Sequence, residues 1–526
     1  MGIKKYYAEK DNTITNAFEP DLVNRGTGSN MGLSDVLEVF SIYGQASSSV
    51  EGTKSQELSR VLIQFPVMGS ALKTIQGDRS NNKIPASGSV NFYLKMFNAE
   101  HNNTLPRGYN LVVMPLAKDW QEGRGLDMES YSDKTFDSEG SNWINASDSA
   151  TWTKTGGDFL TEREVTQSFD TGDEDLEVDV TEIVEEWIAG TRENYGFMVM
   201  LTGSQEAFYS SSTGDNNGNI VHRPDGAKQS YYTKKFFARS SEFFFKRPVI
   251  EARYNDSRRD SRGNFILSSS LLTGDENLQT LYFYNYVYGK LRNIPGTSDS
   301  NEVYVSIYSG SDSPEGNELE LPSDGTYVLS TSNTIITGGL VNELGADQTG
   351  IYSCSFACTS ALDVLYDVWH NGADKDTSDY VEYFTGSFKP KKLRSYSYNP
   401  DFRYVSKITN LKSKYNTGET ARLRIFVREK NWSPTIYAKA TQEIETTIIP
   451  TASYQVSRVV DNLVVIPHGT GSDLETIMSY DVSGNYFDLD MSMLAPGYSY
   501  NIALAYFNGA LDDYVEQPHK FKFRVE

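Results

Sequence analysis

Short apolar runs that alternate with polar residues, and break at turn signals, recur along almost the whole sequence. Only pleated strands bury such a pattern on one face. In residues 59–67, Val61, Ile63 and Phe65 fall on one side of an extended chain. Similar runs occupy 35–42, 89–97 and 109–116, then 280–288, 303–308, 350–357 and 363–369. Others lie at 404–408, 421–427, 453–456, 463–467, 486–489, 500–507 and 520–526. With 41 glycines, 34 tyrosines and 26 phenylalanines, and few long helical periods, the chain is expected to be all-β. A length of 526 residues exceeds what one hydrophobic core usually serves, so three domains are expected.

One segment departs from this pattern. Leu176 and Val178 alternate with acids as in a half-buried strand. Ile183, Val184, Trp187 and Ile188 then share one helical face, with Glu185 and Glu186 opposite. Thr181 is placed to cap this helix and Gly190 to stop it. Trp187 reads as the plug at one end of a β-sandwich.

The net charge of −22 argues against nucleic acid as a direct partner, because phosphate binding needs clustered Lys and Arg. No apolar run approaches membrane-spanning length. The first nine residues lack the apolar core of a signal peptide, so synthesis and folding in a reducing cytoplasm are expected. Cys354 and Cys358 would lie about 13 Å apart in a strand, beyond disulfide reach. With five scattered histidines they make no zinc set and read as core residues.

Two polar stretches, 123–170 and 203–230, read as long loops, where a binding function would sit. Trp143, Trp152 and Tyr209 are loop aromatics that could stack on a pyranose ring; packing, or contact with a neighbouring subunit, is the competing expectation. Asp170, Asp173, Glu174 and Asp175, and Asp215 in Asp215-Asn216-Asn217-Gly218-Asn219, offer hard oxygen ligands for calcium. Neither group follows the EF-hand order, and a solvated acidic turn competes with the metal site. No other cofactor is expected. Catalysis is not expected either: there is no Gly-x-Ser-x-Gly, His-Glu-x-x-His or phosphate loop. His101, His222, His370, His468 and His519 have no recognisable acid–base partner in sequence.

A further set of motifs falls in a fixed order through the first half. These are Asn24-Arg25-Gly26, Arg60-Val61-Leu62-Ile63-Gln64-Phe65, Trp120-Gln121-Glu122, Asp179-Val180-Thr181 with Trp187 and Gly190, Tyr195-Gly196-Phe197 and Arg247-Pro248. On them, the sequence from Asn12 to Tyr254 resembles the DNRLRE family, the disaggregatase-related or alginate-binding-type carbohydrate modules. That resemblance implies a jelly-roll-like β-sandwich, in a family whose members frequently bind carbohydrate or form parts of surface proteins. The compact Ser-Arg-Glu usual near the family's end is replaced here by Arg239-Ser240-Ser241-Glu242.

The second half resembles virion structural proteins of marine tailed phages. Gly350-Ile351-Tyr352-Ser353, Leu365-Tyr366-Asp367-Val368-Trp369-His370 and Tyr383-Phe384-Thr385-Gly386-Ser387 carry the resemblance. So do Gly484-Asn485-Tyr486-Phe487-Asp488-Leu489-Asp490-Met491 and Leu494-Ala495-Pro496-Gly497-Tyr498.

The expected organisation is therefore a DNRLRE-like β-sandwich at 1–256 and two immunoglobulin-like β-sandwich domains at 257–398 and 399–526, with polar residues 255–264 as a linker. The expected role is a non-enzymatic structural component of a tailed-phage virion, a neck, tail or capsid accessory protein made in the host bacterial cytoplasm. It would contact other virion proteins and form a homo-oligomer. A carbohydrate-binding adhesin or host-surface recognition module, with a glycan as ligand, is the alternative.

Overall fold

Alternation becomes burial strand by strand. In the strand Asn91–Met96, Phe92, Leu94 and Met96 are buried while Asn91, Tyr93 and Lys95 are only partly buried. The computed structural model describes residues 2–43, 56–69, 73–100, 105–126, 128–133, 139–206, 231–295, 302–322, 332–393, 404–430, 446–509 and 511–526. The chain divides into two compact units, Ile3–Arg253 and Tyr254–Glu526, the latter joined by Met1–Gly2.

Strands of the first unit are β1 (Ile3–Tyr7), β2 (Lys10–Thr15), β3 (Val36–Tyr43), β4 (Gln56–Gln64), β5 (Asn91–Met96) and β6 (Tyr109–Pro115). They continue with β7 (Val165–Phe169), β8 (Leu176–Asp179), β9 (Phe197–Leu201), β10 (Tyr231–Phe237) and β11 (Val249–Arg253). One antiparallel sheet runs β1-β11-β5-β8. The other runs β10-β3-β4-β9-β6-β7, with β2 also paired to β4. If β2, β3 and β10 are set aside as additions, the remaining strands in chain order read 1-8-3-6 in one sheet and 2-7-4-5 in the other. That interleaving is a jelly roll.

The helix Thr181–Ile188 bridges β8 and β9. Ile183, Val184 and Trp187 are buried, and the Trp187 ring sits 4.8 Å from that of Phe197. Gly190 stops the helix at φ +70°, a left-handed conformation that costs glycine nothing. Thr181 does not cap. It is the first helical residue, and its hydroxyl accepts the Phe92 N–H at 2.8 Å. The Asp179 carboxylate accepts the Thr181 N–H instead, at 2.8 Å.

In the second unit come β12 (Gln279–Tyr284), β13 (Tyr286–Val287), β14 (Lys290–Leu291), β15 (Glu302–Ser309), β16 (Leu321–Pro322) and β17 (Ser332–Asn333). Next are β18 (Ile335–Glu343), β19 (Ala346–Phe356), β20 (Leu365–His370) and β21 (Glu382–Phe388). A single antiparallel sheet, β12-β19-β18-β15-β20-β21, supplies both layers of this region by curling. Its outermost strands meet through their side chains, with Phe283 of β12 stacked 5.2 Å from Phe384 of β21. Cys354 and Cys358 are free thiols buried in that core.

The last strands are β22 (Tyr404–Ile408), β23 (Lys414–Tyr415), β24 (Thr420–Glu429), β25 (Ala452–Arg458) and β26 (Val464–Ile466). They end with β27 (Ser479–Asp481), β28 (Gly484–Asp490), β29 (Ser499–Asn508), β30 (Asp513–Glu516) and β31 (Phe521–Val525). Sheets β22-β24-β28-β27 and β23-β31-β29-β25-β26 face each other, with Tyr454 of β25 stacked 3.9 Å from Phe487 of β28. The Tyr500 hydroxyl donates to the Ala495 carbonyl at 2.7 Å, a tyrosine-corner bond of the kind immunoglobulin-like sandwiches use.

Residues 255–264 are not a tether. Tyr480 of β27 donates its N–H to the Arg258 carbonyl and accepts the Asp260 N–H, each at 3.0 Å. From the same segment the Arg258 guanidinium binds Glu343 of β18, and Arg262 grips the fully buried Asp367 of β20 with both terminal nitrogens. A run rich in charge looked solvated in sequence; here its arginines pair with the partly exposed Glu343 and the buried Asp367.

Candidate functional site

The motif residues of the first half converge, and they do so on one another. Trp120 Nε1 donates to the Tyr195 carbonyl at 2.9 Å. Gln64 Nε2 donates to the Asn194 carbonyl and Asn194 Nδ2 to that of Phe65, so β4 is stitched to the turn before β9. Arg247 Nε donates to the Ser241 carbonyl at 2.8 Å. Glu122 takes two hydrogen bonds from the Arg239 guanidinium, and the Arg239 N–H donates to Asp11 Oδ2 at 2.6 Å. Asn30 fills the same junction, its amide donating to the carbonyls of Glu122 and Ser141.

Asp11 is the strained member of this set. It is 1% exposed. Burial is the chief cause that pushes its carboxyl up to about 7, with Glu122 adding to it and the Arg239 amide and guanidinium opposing. A carboxyl whose folded pKa lies above its unfolded one favours the fold fully below the unfolded value, near 4. That advantage is lost as pH rises towards 7. The wild type should lose on the order of 3 kcal/mol between these limits at this site. Asp11→Asn should flatten the curve, because the amide oxygen still accepts the Arg239 N–H without ionising. Urea unfolding of both proteins at pH 4 to 8 checks this; parallel curves would count against it.

The tryptophans expected as sugar platforms are interior. Trp143 and Trp152 are 2% and 5% exposed, inside a core with Ile14, Leu58, Leu62 and Met198. The Arg60 guanidinium lies 5.2 Å over the Trp143 ring and is itself paired with Glu206. Trp152 Nε1 donates to the Asn142 carbonyl. Neither indole has an open face, which corrects the stacking expectation for both. Tyr209 and Asp215 lie outside the described residues.

The expected calcium ligands are also turned to other uses. Glu174 Oε1 accepts the N–H groups of Asp170 and Thr171, and Oε2 that of Gly172, at 2.7–2.8 Å. Burial works against its charge, but these amides hold the carboxyl down to about 2. Asp175 accepts the Asn98 N–H, and Asp173 the Thr171 hydroxyl. The loop does not gather Asp170, Asp173 and Asp175 round one point. Instead the fully buried Lys234 reaches beneath it, and its ammonium donates to the carbonyls of Gly172 and Glu174 and to Asn98 Oδ1. The loop carries its own cation. Among the described residues no group of three or more His, Cys, Asp or Glu is placed to hold a metal ion.

Two histidines contact serines without forming a catalytic pair. His370 Nδ1 accepts the Gly372 N–H, so Nε2 is the protonated nitrogen facing Ser306 Oγ at 3.1 Å. The Ser306 hydroxyl donates its hydrogen bond to Glu318 Oε1. The proton order is opposite to that of a serine activated by a histidine base. Ser453, 3.1 Å from His468 Nδ1, is fully buried.

Among concave features, a groove of 870 Å³ is lined by Val405, Lys407, Lys430, Val515, His519 and Phe521. No sequence expectation pointed to it. Its residues come from β22, the end of β24 and the β30–β31 segment, which are distant in the chain.

No family model matches the chain, and no curated protein is similar to it. Among solved structures, a marsupial T cell receptor aligns at 10% identity over 50% of this chain and 71% of its own, with a TM-score of 0.16. A DUF4785 family protein from Legionella pneumophila aligns at 7% identity over 99% and 90%, with a TM-score of 0.13. Alpha-2-macroglobulin of E. coli aligns at 8% identity over 97% of this chain and 28% of its own, with a TM-score of 0.15. Scores this low carry no argument about role.

Proposed function

We propose that this chain is a non-enzymatic structural component of a tailed-phage virion, a neck, tail or capsid accessory protein that works through protein–protein assembly. The observation that carries the assembly part is how its polar chemistry is spent. Glu122, Arg239 and Asp11, Arg60 and Glu206, and Lys234 and its loop each close on themselves inside the first unit. Groups committed to one another hold a scaffold and are not presented to a substrate. The virion part rests on the resemblance of the second half to phage structural proteins.

Mass spectrometry of purified particles tests the proposal. The chain should be present at a fixed, stoichiometric copy number, and the isolated protein should pass unretained through alginate-like polymers. Absence from particles together with glycan retention would replace this reading with the adhesin.

A further inference from the structure

The sequence run 280–288 does not form one strand. β12 ends at Tyr284, and β13 and β14 make a hairpin with Tyr286 opposite Leu291 and Val287 opposite Lys290. Its tip is Tyr288 at φ +51° and Gly289 at φ +74°. Left-handed values at both tip residues define a type I′ turn, for which Asn-Gly is the favoured sequence. A bulky aromatic in the first position is strained. Nothing in the fold needs a ring there: Tyr288 is 99% exposed and Tyr286 63%.

The base of the hairpin is held firmly. Asn285 donates its N–H to the Gly350 carbonyl and its amide to that of Arg292, and the Arg292 N–H donates to the Asn285 carbonyl. The Gly350 N–H donates to Asn293 Oδ1, and the Ile294 N–H to the buried Tyr352 hydroxyl. A Cβ on Gly350, at φ +72°, would come within 2.6 Å of the Arg292 nitrogen, so only glycine lets the hairpin root this closely. Residues 285–294 contain Lys290 and Arg292 and no acid, on a chain of net charge −22.

We propose that this hairpin is a docking finger by which one copy of the chain seats on an acidic surface of a second copy, with Tyr288 and Tyr286 as its anchors. A tyrosine fixed at a hairpin tip offers a large contact area with little side-chain freedom to lose, as interface anchors do. The two cations steer the finger towards negative surface, and a second copy of so acidic a chain supplies it. Engaged reciprocally by two copies, such a contact closes a twofold dimer; engaged head-to-tail, it propagates into a ring or a filament. The proposal rests on the assembly reading above and names the element that would serve it.

Sedimentation of the full chain over a concentration series, at low and high salt, tests the idea. The wild type should self-associate, more weakly as salt rises. Tyr288→Asn should weaken association by about thirtyfold, the loss of one strong anchor. The same change should leave the melting temperature equal or higher, because Asn-Gly suits the turn. A merely structural Tyr288 would lower the melting temperature instead. Lys290→Glu with Arg292→Glu should weaken association and remove its salt dependence. A wild type that stays monomeric, or a Tyr288→Asn variant that associates like it, overturns the proposal. If such a monomer were still found in purified particles, the finger alone would fail and the virion reading would stand. Tyr288-dependent association of a chain absent from particles would sustain the finger and defeat that reading.

Discussion

Replacing Glu251 with Gln is expected to destabilise the first unit by about 3–5 kcal/mol. Glu251, 1% exposed on β11, lies at the centre of a charge ladder across the sheet β1-β11-β5-β8. Its oxygens meet Lys5 at 3.2 Å, Arg253 at 2.7 Å and Lys95 at 3.7 Å. The three cations keep only 10–15% of their side-chain surface in solvent. Once Glu251 is neutral, Glu177 still reaches Lys95 and Arg253, but the ladder has lost its central charge. Truncating one partner of a buried cluster leaves the others desolvated and unpaired, which costs far more than the pair itself contributes.

The same residue sets an acid limb. Burial opposes its charge, but Lys5, Lys95 and Arg253 outweigh that and hold the carboxyl at about 2. A folded pKa below the unfolded one gives stability that is full above the unfolded value, near 4.5, and lost as pH falls through about 2. The gap between wild type and Glu251→Gln should therefore be widest near neutral pH and narrow by pH 3. Urea unfolding at the two pH values decides it. A gap under about 1 kcal/mol at neutral pH would mean the cations are better solvated than their exposure implies.

This limb and that of Asp11 run in opposite directions, and neither was visible in sequence. Alternation is a local property, so β4, β5, β6 and many of the later strands, though not β18, could be placed from it. Pairing is not local. Glu122 and Arg239 are separated by 117 positions, and nothing between them announces that one carboxylate and one guanidinium will close the same junction. The jelly-roll order was expected only through the resemblance those ordered motifs carry, because alternation does not say which strands pair.

The choice between packing and sugar stacking for Trp143 and Trp152 stayed open in sequence for a related reason. They lie among Ser, Asp and Gly with no period, so the stretch looks solvated, yet it folds back as irregular chain onto Ile14, Leu58 and Leu62. A tryptophan in an aperiodic polar segment needs a tertiary partner to be read at all. Lys234 did carry a local signal. In Tyr232-Thr233-Lys234-Lys235-Phe236 it shares the inward parity of Phe236, and both are fully buried. A lysine on the apolar face of a strand asks for carbonyl acceptors, and the loop at Gly172 and Glu174 provides them. In the run 280–288, continuous aromatic residues hid the Tyr288-Gly289 turn, since strand propensity is high on both sides of it.

Trp187 should be the most costly single aromatic to remove from the first unit, and the pattern of replacement should show why. Trp187→Ala would leave a cavity beside Phe197, Ile183 and Val184 where the helix Thr181–Ile188 closes the end of the sandwich. Deletions of this size in packed cores cost about 3–5 kcal/mol. Trp187→Phe is expected to cost less than about 1.5 kcal/mol, because much of the volume is kept and the core tolerates an aromatic swap. A second effect favours phenylalanine. Among the described residues the buried Trp187 Nε1 meets no hydrogen-bond acceptor, so the indole brings an unsatisfied donor into the core and the phenyl ring does not. The ring therefore works by filling space, and its nitrogen contributes nothing. Thermal and urea unfolding of both variants separate the two roles: a Phe variant as unstable as the Ala variant would show that the nitrogen matters and that an acceptor reaches it in solution.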